Sequence, residues 1–110
     1  MSANVVSDPV LTRFRVALNK VYGTQRIERV MLFGSRARGD ARPDSDYDVA
    51  VFLRDMTIAD RRAELNRLAD LSTDFLDETG EFVHAMPYRA GSYTDPTPLM
   101  LGIRTEGIDL

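Results

Sequence analysis

Apolar residues recur every three to four positions in three segments of the chain, a spacing that predicts three amphipathic helices. The first helix follows Asp8-Pro9, a typical N-cap and first helical residue, and is expected to end at Gly23. The second is expected to begin after Thr57 and to end at Gly80. A third, shorter helix is predicted over 98–106.

Three shorter apolar runs predict β-strands at 28–33, 46–54 and 81–86. The middle run is apolar on both faces beyond Asp48, so it should be a central strand that is covered on both sides. Pro87 is expected to end the third strand, because proline has no main-chain N–H to donate.

The polar segment between the first two strands carries the candidate chemistry. It begins with Gly34-Ser35, continues through an arginine-rich loop and ends in Asp46 and Asp48. Strand side chains alternate between faces, so these two carboxylates should project from the same face. A Gly-Ser turn allows close approach to the main chain and offers free amides to a phosphate. Carboxylates beside such a turn predict a site for Mg²⁺ and a nucleoside triphosphate.

This site also constrains the relative directions of the strands. Gly34-Ser35 closes the first strand and Asp46 opens the second, so the two strands must run antiparallel for their ends to meet. The long helix after the second strand returns the chain, which predicts a third strand parallel to the second by a right-handed crossover. The predicted fold is a small α/β (α+β) domain. Its three-stranded mixed sheet is flanked by about four helices, one of them a short helix from Ser35.

Arginines occur on both sides of the Gly-Ser turn in the sequence. Because guanidinium groups match the geometry of phosphate oxygens, some of these arginines are candidates to bind the phosphates of a nucleotide. Arg36 and Arg38 are the candidate nucleotide-binding side chains, whereas Arg42 is more simply a solvated loop residue. The whole set that is expected to cluster at the turn is Arg26, Arg29, Arg36, Arg38 and Arg42.

Composition narrows the class of protein. A length of 110 residues is that of one domain, expected to span 1–110. The chain has no cysteine, which excludes a disulfide scaffold and a thiolate metal site and fits a cytoplasmic protein. A net charge of −3 argues against direct binding to nucleic acid. No apolar run approaches the ~20 residues that would span a membrane.

The Gly-Ser-x10-Asp-x-Asp pattern over Gly34 to Asp48 resembles the signature of the DNA polymerase β-type nucleotidyltransferase superfamily. The segment from Gly34 to Gly39 further resembles the minimal nucleotidyltransferases, which include antitoxins of HEPN-domain toxins. The resemblance implies the polymerase β-like nucleotidyltransferase fold and Mg²⁺ held by Asp46 and Asp48 as catalytic ligands. It also implies ATP as substrate, bound at Gly34 and Ser35, and a HEPN toxin as partner in a hetero-oligomer.

The chain departs from that family pattern at one position. The family carries a third carboxylate on the neighbouring strand, within an apolar-acid-apolar triplet, whereas this chain has His84 at the centre of Val83-His84-Ala85. Glu81 is the nearest acid. A lone histidine on a strand is more often a surface residue, but a neutral imidazole can accept a proton near pH 7. His84 is therefore a candidate catalytic base, with Glu81 as the alternative third acid.

Three functions remain open at this point. The chain could be an antitoxin that transfers AMP from ATP to a HEPN toxin, plausibly on a tyrosine. It could be a binding antitoxin of the same fold with weak or no activity. It could also be a nucleotidyltransferase acting on a small molecule. The intact Gly-Ser and Asp-x-Asp favour the first, the missing third carboxylate favours the second, and the short length counts against the third.

Overall fold

The structure, a computed structural model, describes residues 8–110. Four helices, four strands and one 3₁₀ turn follow one another within that range. None of these helices is long and apolar enough to cross a membrane. In chain order the elements are α1 (Pro9–Tyr22), β1 (Ile27–Phe33), α2 (Ser35–Arg38), β2 (Tyr47–Leu53), α3 (Arg61–Thr79), β3 (Val83–Arg89), the 3₁₀ turn (Ser92–Thr94), α4 (Pro98–Glu106) and β4 (Ile108–Asp109).

Helix α1 begins and ends where its sequence predicts. The Asp8 carboxylate accepts a hydrogen bond of 2.8 Å from the Val10 amide, which caps the helix, and Gly23 follows its last residue. The side chains that pack into the core are Leu11, Phe14 and Leu18, at helical spacing.

Helix α3 begins at Arg61, later than the sequence predicts. Thr57 and Asp60 exchange hydrogen bonds: the Thr57 amide donates to the Asp60 carboxylate and the Asp60 amide donates to the Thr57 hydroxyl, at 3.1 and 3.3 Å. This reciprocal pair forms a separate turn ahead of the helix. Ile58, which the apolar pattern places on the inner face, is consequently 85% exposed.

The sheet has four strands in the order β3-β2-β1-β4. Strand β2 runs antiparallel to β1 and parallel to β3, as the sequence predicts. The expectation of three strands is corrected by β4, which pairs antiparallel with β1 through Ile108 and Asp109. A strand of two residues is too short to show an alternating pattern, so the sequence gives no signal for it.

Strand β3 also extends further than predicted, because it continues through Pro87 to Arg89. It is the edge strand of the sheet. A proline is tolerated at an edge, where its missing N–H does not interrupt a ladder. The prediction that Pro87 ends the strand was therefore wrong.

Strand β2 lies at the centre of two apolar layers, which confirms the prediction from its sequence. Val49, Val51 and Leu53 face the layer that contains α1 and α3. Ala50 and Phe52 face the opposite layer, where α4 packs. Because alternate side chains share a face, Asp48 belongs to the α4 face of the sheet. The Asp48 side chain is 33% exposed to solvent.

Candidate functional site

The ends of three adjacent strands form the candidate site. Phe33, the last residue of β1, pairs with Asp48, so Gly34 and Ser35 lie beside the start of β2. On its other side, Asp48 pairs with His84 of β3. Asp46 precedes β2 and is exposed. The two segments that the sequence predicted to meet therefore do meet, and His84 lies next to them.

Gly34 is in direct contact with the Asp48 carboxylate. A Cβ atom added to Gly34 would lie 2.5 Å from Asp48 Oδ2. The Gly34 backbone also has a φ of 77°, which residues with a side chain rarely adopt. The sequence suggested that this glycine admits a phosphate to the main chain. The structure adds a second reason for it, because any side chain here would displace the carboxylate.

We expect Gly34→Ala to lower the rate of the nucleotidyl transfer that the family resemblance implies about 10²-fold, since it would displace a carboxylate of the candidate site. Gly39→Ala is the matched control. Gly39 has a similar φ of 86° but open space around its would-be Cβ. Both variants should lose about 1–3 kcal/mol of folding free energy through backbone strain. The loss should be larger for Gly34→Ala, because Gly34 has a ψ of −159° whereas Gly39, with a ψ of 11°, lies in the left-handed helical region. Thermal unfolding and transfer rates measure the two effects, and equal rates in the two variants would contradict the contact argument.

The Gly-Ser turn is held by its own main chain. The Gly34 carbonyl accepts hydrogen bonds of 3.1 Å from the amides of Ala37 and Arg38, and the Ser35 carbonyl accepts 3.0 Å from Gly39. The Ser35 side chain makes no hydrogen bond with any other of residues 8–110, so its hydroxyl is available to a ligand.

Arg36 contacts the loop that precedes β2 and the first residue of that strand. Its guanidinium donates to the Ser45 carbonyl at 3.0 and 2.8 Å and to the Pro43 carbonyl at 3.3 Å. It also stacks on the Tyr47 ring, 4.1 Å from the centroid. Tyr47 packs in the α1 layer, on the sheet face opposite Asp48. Arg36 therefore braces the loop that leads into Asp46, and these contacts give no support to a direct role in nucleotide binding.

Tyr47 extends this brace to the start of α1. Its hydroxyl donates a hydrogen bond of 2.9 Å to Asp8, whose other carboxylate oxygen caps the helix. Burial, followed by the hydrogen bond to Asp8 and the charge of that carboxylate, raises the pKa of Tyr47 to about 12. The phenol thus stays protonated as a donor. The sequence predicts Asp8 only as a helix cap, because a contact 39 positions along the chain leaves no local pattern.

Arg38 is the arginine of the turn that remains accessible. Its side chain is 42% exposed, with Asp40 at 3.3 Å and Glu106 at 3.8 Å. Exposed ion pairs of this kind contribute little, so a phosphate can compete for the guanidinium.

The predicted cluster of five arginines does not form. Arg26 and Arg29 lie at the far end of β1. Arg26 pairs with the buried Glu64 at 2.8 Å, and Arg29 stacks on the Tyr93 ring at 4.0 Å. Arg42 is exposed in the loop.

His84, rather than Glu81, accompanies Asp48. The His84 Nδ1 atom lies 3.6 Å from Asp48 Oδ1, which is longer than a hydrogen bond, and the imidazole is 53% exposed. The Phe82 ring stacks almost parallel to it, with centroids 6.5 Å apart. Glu81 precedes β3, and its charge is among the influences that raise the pKa of Tyr47, behind burial and Asp8.

The donor atoms at this site match Mg²⁺ that arrives with a nucleotide. Within residues 8–110 no three His, Asp or Glu side chains are grouped to hold a metal ion. Asp46 and Asp48 offer two carboxylates, and Mg²⁺ is commonly bound by one or two carboxylates together with substrate phosphates. Imidazole is a ligand for softer metals, so His84 adds no Mg²⁺ ligand.

Comparisons with known proteins agree with this geometry. The model of one family, described as polymerase beta, nucleotidyltransferase, matches residues 17–86, which is more than half of the chain. A search of curated proteins finds no match.

Three solved structures share the fold. A toxin-antitoxin solved with AMP-PNP is 19% identical, with a TM-score of 0.58 over 88% of this chain and 69% of that chain. A mutant of the toxin-antitoxin MntA-HpeT is 20% identical, with a TM-score of 0.59 over 91% of this chain and 70% of that chain. A candidate nucleotidyltransferase from Sulfolobus solfataricus is 19% identical, with a TM-score of 0.54 over 91% and 77%.

Proposed function

We propose that this chain, which belongs to the polymerase beta nucleotidyltransferase family, is an antitoxin. In this proposal it transfers AMP from ATP to a HEPN-domain toxin. The observation that carries the proposal is the meeting of Gly34-Ser35, Asp48 and His84 at three adjacent strand ends. Two structural neighbours are toxin-antitoxin proteins, which supports a toxin as the partner.

The residues divide the binding of ATP between them. The main chain at Gly34 and the Ser35 hydroxyl hold the β- and γ-phosphates, because this turn presents unencumbered polar groups. Arg38 adds a positive charge from the exposed side of the turn. Asp46 and Asp48 would hold Mg²⁺, which would neutralise charge on the phosphate oxygens.

In the transfer step, a hydroxyl oxygen of the toxin forms a bond to the α-phosphorus of ATP. The bond from the α-phosphorus to the oxygen that bridges to the β-phosphorus breaks, and pyrophosphate leaves. The hydroxyl proton passes to His84. The half-exposed imidazole, with its Nδ1 atom 3.6 Å from Asp48 Oδ1, lies next to the candidate metal ligand, which supports its role as the base.

A second function is supported by one specific observation. His84 occupies the strand position next to Asp48, where the family pattern has a carboxylate. A site with two carboxylates would bind nucleotide yet transfer slowly or not at all. In that case the protein neutralises its toxin by forming a complex. No feature of residues 8–110 specifically favours a small-molecule acceptor.

Incubation with labelled ATP, Mg²⁺ and the HEPN protein encoded in an adjacent reading frame tests the proposal. We expect the intact mass of the toxin to rise by one AMP or more, and no rise when Mg²⁺ is chelated. A stable complex without a mass change would select the binding antitoxin instead. If neither transfer nor a complex is found, the antitoxin assignment is wrong.

A further inference from the structure

A groove runs between α3 and the outer edge of β3, beside His84. It has a volume of about 360 Å³. Six of the side chains that line it are Leu65, Asn66, Ala69, Phe82, His84 and Met86. Because β3 is the edge strand, the groove lies on the side of His84 that is away from β2 and β1.

The chemistry of transfer indicates which reactant this side receives. In an in-line displacement, the attacking oxygen and the leaving pyrophosphate lie on opposite sides of the α-phosphorus. The proposed function places the pyrophosphate at Gly34-Ser35, next to the end of β1. The acceptor hydroxyl must then approach from the β3 side, where His84 and the groove lie.

The lining of the groove suits a polypeptide better than a phosphate or a nucleic acid. No lysine or arginine lines it, and its neutral polar groups are Asn66, Ser72 and Thr73. The Ser72 side chain is only 4% exposed, and its hydroxyl has no hydrogen-bond partner among the residues that the structure describes. A buried hydroxyl left unpaired is costly, so a ligand that supplies a partner gains from it.

The edge of β3 adds main-chain groups that a peptide can use. In the described sheet, β3 pairs on one side only, with β2. An extended peptide can add to such an edge through main-chain hydrogen bonds, while pockets beside the strand receive its side chains. Phe82, which is stacked on His84, offers an apolar contact at the end of the groove nearest the site.

We propose that the α3–β3 groove binds an extended segment of the acceptor protein and delivers its side-chain hydroxyl to His84. This inference rests on the proposed transfer function. It names the part of the surface that selects the acceptor, and it assigns no part of the nucleotide to the groove.

The substitution Ala69→Arg tests the groove without disturbing the core. Ala69 is exposed on α3 and lines the groove, so an arginine fits the helix but fills the space. Ala63→Arg is the matched control, since Ala63 is exposed on the same helix and does not line the groove. We expect Ala69→Arg to raise the KM for the HEPN protein about tenfold or more. The affinity for an ATP analogue, measured by calorimetry, should match that of Ala63→Arg.

Equal KM values in the two variants would overturn the proposal, and so would a selective loss of affinity for the ATP analogue in Ala69→Arg. A second measurement does not depend on transfer. A photoreactive residue in place of Ala69, but not in place of Ala63, should crosslink to the HEPN protein. If the wild type transfers nothing and this crosslink still forms, the groove assignment stands while the transfer function fails. If transfer occurs without the crosslink, the groove assignment fails alone.

Discussion

Asp48→Asn is expected to lower the Mg²⁺-dependent transfer of AMP by at least about 10³-fold while leaving the fold intact. Asparagine keeps the shape of the side chain but removes the charge that holds the metal ion. Asp48 is partly exposed, and its contact with His84 is long at 3.6 Å, so little folding free energy depends on it. Initial rates at saturating ATP, with a thermal unfolding curve, measure both expectations.

Two further variants make this test specific. Asp46→Asn should have a similar effect, because the proposed Mg²⁺ site uses both carboxylates. Asp44→Asn is the control, because Asp44 is an exposed acid in the turn that begins at Pro43 of the same loop. It should keep nearly the wild-type rate. Wild-type transfer in Asp48→Asn, or an equal loss in Asp44→Asn, would contradict the metal assignment.

His84→Ala is expected to lower the transfer rate by about 10²–10⁴-fold, the usual contribution of a general base. The imidazole is half-exposed and forms no hydrogen bond with any other of residues 8–110, so stability should change little. The affinity for an ATP analogue should also be retained, because His84 is assigned to the acceptor's proton and not to the nucleotide. Single-turnover rates and calorimetry separate these effects.

Added imidazole provides a readout that a structural role would not give. If His84 accepts the proton, free imidazole should restore part of the rate in His84→Ala. Glu81→Gln is the matched variant and should be nearly silent, since His84 and not Glu81 pairs with Asp48 in the sheet. An unchanged rate in His84→Ala would remove His84 from the reaction. A wild-type protein that is inactive until His84→Asp is made would identify a binding antitoxin with a degenerate site.

Strong local patterns allowed much of the fold to be predicted from the sequence. Strand β2 shows an uninterrupted apolar run from Val49 to Leu53, and α1 shows both a cap and a helical period. The requirement that Gly34-Ser35 and the two aspartates meet at one site also predicted, correctly, that β1 and β2 run antiparallel. Two predictions were wrong where the local pattern is short or has an alternative. Strand β4 has only two residues and so shows no alternation. The hydrogen bonds between Thr57 and Asp60 form a separate turn, so α3 begins later than predicted.

The candidate site divides in the same way. The sequence alone predicted the candidate residues, because the spacing of the motif puts Gly34, Ser35, Asp46 and Asp48 at the ends of two adjoining strands. Only the tertiary structure decided where the neighbouring side chains point. It directs Arg36 to Tyr47 and places His84 beside Asp48. Those orientations depend on sheet register and on contacts distant in the chain, such as the bond from Tyr47 to Asp8, which local spacing does not encode.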